Sequence, residues 1–149
     1  MPAVNFYTGC TDNTAVTCKT GGVWSAGGAT PFIRGEVTWL NGVPSYNLSP
    51  LYGYNRGLKI NTDDSKCAAF QCNINSGCPV PGPDGTCMAP CCASASGCQG
   101  TNNCPYDPKS GWQYGGKGVH SDFYHNACPN AYSFPADDHY GACHSSCLT

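Results

Sequence analysis

Thirteen of the 149 residues are cysteine, and eight of them fall between Cys67 and Cys104. The residues between those eight are largely Pro, Gly, Ser and Asn. Such a stretch buries little apolar area, so covalent bridges must hold it. Twelve cysteines make six bridges. That density persists in an oxidising compartment, which points to a secreted protein in the extracellular space or cell wall.

The rest of the composition agrees with a folded, turn-rich chain. Charged residues are 11% and aromatics 11%, with 19 Gly and 12 Pro. Low charge with ample aromatics argues against disorder, and the Gly and Pro content argues for many turns and few long helices. A net charge of −2 offers no broad basic surface for nucleic acid. No apolar run approaches the ~20 residues that span a bilayer. The start, Met1-Pro2-Ala3-Val4-Asn5, has neither the basic nor the apolar stretch of a signal peptide.

The cysteine-free segment 31–61 reads as β structure. Ile33, Val37 and Trp39 alternate with Arg34, Glu36 and Thr38, as in a half-buried strand with one polar face. Asn41-Gly42 is a hairpin signal. It leads into Tyr46-Asn47-Leu48, and Arg56–Ile60 reads as a further short strand. One domain is expected over 1–149, its β-core mainly 1–66 and 120–149. The Cys-rich loop region spans 67–119.

The run from His125 through Cys128-Pro129-Asn130-Ala131-Tyr132-Ser133-Phe134 to Asp137-Asp138 closely resembles the thaumatin-like family. Tyr7-Thr8-Gly9-Cys10, Gly35-Glu36-Val37-Thr38-Trp39, Tyr46-Asn47-Leu48-Ser49 and Gly77-Cys78-Pro79 follow in the family's order. The resemblance implies an all-β, disulfide-rich β-sandwich with Cys-rich loops, its leading strands missing. It implies the bridges Cys10–Cys18, Cys67–Cys143, Cys72–Cys128 and Cys78–Cys87, and leaves the pairing of Cys91, Cys92, Cys98 and Cys104 unassigned. In the family the final cysteine bridges to one near the N-terminus, ahead of where this chain starts. Cys147 is therefore expected to have lost its partner, by truncation. A native free thiol and an intermolecular bridge are the alternatives. A sandwich without its leading strands exposes a sheet edge, which tends to pair with another chain.

The family is linked to β-1,3-glucan binding, sometimes to weak β-1,3-glucanase activity, and to antifungal, pathogenesis-related defence. Its cleft carries acids and one arginine. Glu36 and Asp137 fall on acidic positions, whereas Asn47 and Tyr52 stand where the family has acids and Tyr7 where it has arginine. Glycoside hydrolysis usually needs two carboxyls, one to protonate the leaving group. Glu36 and Asp137 are the candidate catalytic pair. Arg34, Glu36, Asn47, Tyr52 and Asp137 are the candidate ligand-binding set. Loss of two acids favours binding without turnover. The expected function is thus a secreted carbohydrate-binding protein of defence or cell-wall type. The alternatives are a non-catalytic protein that contacts other proteins and a weak endo-β-1,3-glucanase.

Other patterns carry less. Asn47-Leu48-Ser49 is a glycosylation sequon weakened by Pro50. Cys143-His144-x-x-Cys147 lacks the paired spacing of a zinc site, so neither metal nor cofactor is expected. His120 and His125 read as exposed loop residues, Gly115-Gly116-Lys117-Gly118 as a flexible turn, and Tyr132 and Phe134 as core aromatics.

Overall fold

The computed structural model describes residues 3–21, 31–141 and 145–146. In chain order the elements are β1 (Ala3–Asn5), β2 (Arg34–Leu40), β3 (Val43–Ser49), β4 (Leu58–Ile60), β5 (Phe70–Cys72), α1 (Ser121–Ala127) and β6 (Ser145–Ser146). Short 3-10 turns occur at Gly100–Asn103 and Asp137–Tyr140. The larger sheet runs β1-β2-β3-β6, antiparallel throughout. Asn41 and Gly42 close the β2–β3 hairpin with φ of 53° and 81°. A two-residue turn needs that left-handed pair to match the twist of its strands.

β4 and β5 form a separate two-stranded ribbon, and Gly35 makes room for it. A Cβ at Gly35 would stand 3.5 Å from both Leu58 Cδ2 and Ile60 Cδ1. On the next strand the Tyr46 and Phe70 rings meet at 5.5 Å. The ribbon therefore lies against the sheet, and Ile33, Leu48, Phe70 and Tyr124 are buried between them and α1. Each such side chain contributes about 1.5–3 kcal/mol by leaving water.

Two differences from the sequence reading have physical causes. The alternation in β2 predicts a buried Trp39, yet it is 65% exposed. The ribbon covers the strand at Gly35, and Trp39 lies four residues further on. β structure is also expected over 120–149, but residues 121–127 are helical. Tyr124 is fully buried, Ser121 Oγ accepts from the Gly118 N–H at 2.9 Å, and Asp122 suits the positive end of the helix. Two turns are too short to register a helical period in sequence. In the Cys-rich region, expected as loops, β5 is a strand.

Disulfides join these parts. Cys10–Cys18, Cys72–Cys128 and Cys78–Cys87 pair as the resemblance implies. The four unassigned cysteines pair as Cys91–Cys104 and Cys92–Cys98. Cys67 is disulfide-bonded, while the expected partner Cys143 and the expected lone Cys147 lie outside the described residues. No helix among the described residues is long and apolar enough to cross a membrane.

Cys72–Cys128 spans 56 residues and Cys92–Cys98 spans 6. Loop-closure entropy makes the first worth on the order of 4 kcal/mol and the second about 2 kcal/mol. Replacing both partners by Ala is expected to lower stability more for Cys72/Cys128 than for Cys92/Cys98. Urea unfolding of the two double variants checks the ranking, and equal losses would refute it.

Candidate functional site

Strand alternation places Arg34 and Glu36 on one face of β2, and the register sets Glu36 opposite Asn47 and Arg34 opposite Ser49. Arg34 Nη1 lies 3.6 Å from Glu36 Oε1, and Arg34 Nε donates to Asn5 Oδ1 at 3.0 Å. The guanidinium carbon sits 4.6 Å from the centre of the Tyr52 ring. Tyr52 stacks on Phe32 at 5.4 Å and 7°. The backbone beneath is fixed by the Gly53 N–H donating to Pro50 O at 2.8 Å and the Phe32 N–H to Tyr52 O at 3.4 Å.

Phe32, Arg34 and Tyr52 form one wall of a cavity of about 320 Å³, with Thr101 and Asn102 on the other. The second wall is the 3-10 turn Gly100–Asn103, clamped by Cys91–Cys104 and Cys92–Cys98. An aromatic face, a guanidinium, a hydroxyl and an amide suit a ring-shaped ligand that carries hydroxyls. Among the described residues, no acid lines the cavity. Of the residues lining this cavity, Arg34 and Tyr52 are in the set expected from the sequence, and Phe32, Thr101 and Asn102 are not. The last two are ordinary polar residues in a loop, with no pattern to mark them.

Asn47 is buried, and its Oδ1 has no hydrogen-bond partner among the described residues. It is not among the described residues that line the cavity. Asp137 departs further from the expected cleft, because it is 0% exposed. Its Oδ2 accepts from the Ser133 N–H at 2.7 Å and Ser133 Oγ at 3.0 Å, and meets His125 Nε2 at 2.6 Å. A carboxyl used in catalysis must come within hydrogen-bond reach of its substrate, and a buried, saturated Oδ2 does not. Glu36 and Asp137 are therefore not a pair flanking open space.

Ser133, His125 and Asp137 have the composition of a hydrolytic triad without its wiring. Ser133 Oγ lies 2.8 Å from His125 Nε2, the same nitrogen that meets Asp137. A triad histidine bridges base and nucleophile through its two different nitrogens. Here the cluster fastens residues 133–137 to α1. His125 is thus a half-buried helix residue rather than an exposed loop one, and His120 Nε2 is buried without a partner.

Asp107 anchors the loop 105–116. Its Oδ2 accepts from the Ser110 N–H at 2.8 Å and its Oδ1 from the Tyr140 hydroxyl at 2.6 Å. Hydrogen bonds from Ser110 first and Tyr140 second hold its carboxyl down at about 2, against an ordinary 3.8. The same contact raises the Tyr140 phenol. The anchored loop presents Tyr106, Trp112 and Tyr114 to solvent, and Tyr140 is exposed beside it. In the Cys10–Cys18 loop, Asp12 is likewise held below the carboxylate range, by Thr14 first and Thr17 next.

Comparison with known proteins places this geometry. The sequence model of the thaumatin family matches residues 4–148. The pathogenesis-related thaumatin-like protein 3.8 of Cryptomeria japonica is 32% identical over 135 residues, covering 82% of this chain and 55% of that protein. The pathogenesis-related 5 protein Cup a 3 of Hesperocyparis arizonica is 30% identical over 150 residues, covering 88% and 67%. A glucan endo-1,3-beta-glucosidase of Prunus avium is 33% identical over 105 residues, covering 64% and 42%. The chain thus spans about half the length of the first of these relatives.

The Asp107 anchor gives a signed pH dependence. A carboxyl whose folded pKa is depressed stabilises above its unfolded pKa, and that contribution fades as pH falls from about 4 towards 2. Asp107→Asn is expected to be less stable than the parent at pH 6, with the difference shrinking at pH 2.5. Asp12 titrates in both proteins and cancels in the comparison. Urea midpoints at the two pH values test this, and a pH-independent difference would count against it.

Proposed function

The chain belongs to the thaumatin family, and we propose that it is a secreted carbohydrate-binding protein of defence or cell-wall type. Its site is the cavity between Phe32, Arg34 and Tyr52 on one wall and Thr101 and Asn102 on the other. The observation that carries this reading is the stack of Phe32, Tyr52 and Arg34 facing neutral hydrogen-bonding groups. The ligand class, β-1,3-glucan, draws support from the relative named a glucan endo-1,3-beta-glucosidase. The five described disulfides support secretion. The ribbon packed on the sheet is read as a reduced thaumatin-like sandwich.

Binding is favoured over hydrolysis because no acid among the described residues lines the cavity and Asp137 is buried. A glycosidase flanks its bond with two carboxyls. The second reading, contact with another protein, draws support from the exposed rings of Tyr106, Trp112 and Tyr114. Self-association belongs to that reading, because β1 is an edge strand of the described sheet.

Titration calorimetry with a soluble β-1,3-glucan oligosaccharide is expected to give heat without cleavage. Tyr52→Ala is expected to weaken binding about tenfold, or ~1.4 kcal/mol. Heat with cleavage would overturn the non-catalytic reading. No heat at all would shift the assignment to protein contact. Light scattering at high concentration is expected to show association through the β1 edge, and a monodisperse monomer would remove that part.

A further inference from the structure

We infer that the cavity selects a saccharide bearing a carboxylate over a neutral one. This rests on the reading of the cavity as a sugar site. Among the described residues that line it, only Arg34 is charged. The opposite wall offers the Thr101 hydroxyl and the Asn102 amide, neither hydrogen-bonded among the described residues. A neutral sugar satisfies those two groups and stacks on Tyr52 but gains little from the guanidinium. A uronate uses all three.

The guanidinium is positioned in advance for such a ligand. Nε is held by Asn5 Oδ1 at 3.0 Å, and the Tyr52 ring lies 4.6 Å from the guanidinium carbon. Those two contacts fix the plane of the fork, and arginine binds carboxylates best when its fork is already oriented. The counter-charge present is Glu36, 3.6 Å from Nη1, longer than a hydrogen bond. Both side chains keep about a quarter of their surface exposed, at 25% and 23%. A loose, partly solvated pair of this kind is weak. A ligand carboxylate at ~2.8 Å in bidentate contact competes with it.

Glu36 therefore acts in the opposite sense to a binding or catalytic residue. It opposes the acidic ligand, both by repulsion and by occupying Arg34. Removing its charge should tighten binding, an outcome that damage to the fold does not imitate.

The test uses the full chain and two probes in calorimetry at low salt. One is a neutral β-1,3-glucan oligosaccharide. The other is the same oligosaccharide with its primary hydroxyls oxidised to carboxylates. The oxidised probe is expected to bind at least about tenfold tighter, with most of the gap lost at ~1 M salt, where screening is strong. Arg34→Gln, its fold checked by circular dichroism, is expected to bring both probes to the same affinity. Glu36→Gln is expected to raise affinity for the oxidised probe several-fold and leave the neutral one unchanged. Equal binding of both probes would overturn the charge selection and leave the sugar site standing. A Glu36→Gln variant that loses affinity for the oxidised probe would also overturn the selection. Binding of neither probe would overturn the sugar site itself.

Discussion

The bridge from Cys72 to Cys128 is the constraint on which the rest of the structure depends. It joins the end of β5 to the residue that closes α1, and both half-cystines have no exposed surface. Neither part stands well alone. A two-stranded ribbon is marginal in water, and a helix of seven residues is far below the length at which isolated helices persist. Tied together, they trap Phe70 and Tyr124 against Ile33, Tyr46 and Leu48 of the sheet region. The core is small, and the covalent link keeps its two halves from separating in the unfolded chain.

A second organising effect is the division of polar work. Arg34 and Glu36 remain near solvent on β2, where their charges cost little. Asp107 and Asp137 are buried; both oxygens of Asp107 meet donors, whereas in Asp137 Oδ2 does and Oδ1 has no partner among the described residues. Asp107 gathers Ser110 and Tyr140, and Asp137 gathers Ser133 and His125. Buried carboxylates without such partners would be strongly destabilising. The two buried acids fix the positions of the loop 105–116 and the segment 133–137. The surface arginine keeps about a quarter of its side chain exposed, at 25%.

Some of this was legible in the sequence. Alternation through β2 and the Asn41-Gly42 pair gave the central hairpin, because both are local rules. The family resemblance gave three bridges, and strand alternation set Arg34 beside Glu36. Asp137 misled, because an acid at the end of a motif reads the same whether it faces a cleft or a half-buried histidine. Its partners Ser133 and His125 both lie within that motif, but the helix that carries His125 is too short to be recognised. Gly118 misled in another way. A Cβ there would sit 2.5 Å from Cys91 Sγ and 2.7 Å from Pro90 O, so a glycine read as flexible is one around which the chain is tightly closed. Close approach between distant segments leaves no periodic trace.

The position of Asn47 has a consequence for any sugar attached to it. The sequon is intact, yet its amide lies in β3, an inner strand between β2 and β6. Its side chain stands on the face that carries Glu36 and keeps 7% of the residue's surface exposed, so a transferase reaches it most readily before the chain folds. A sugar joined there would stand over the same face of the sheet as Arg34 and Glu36.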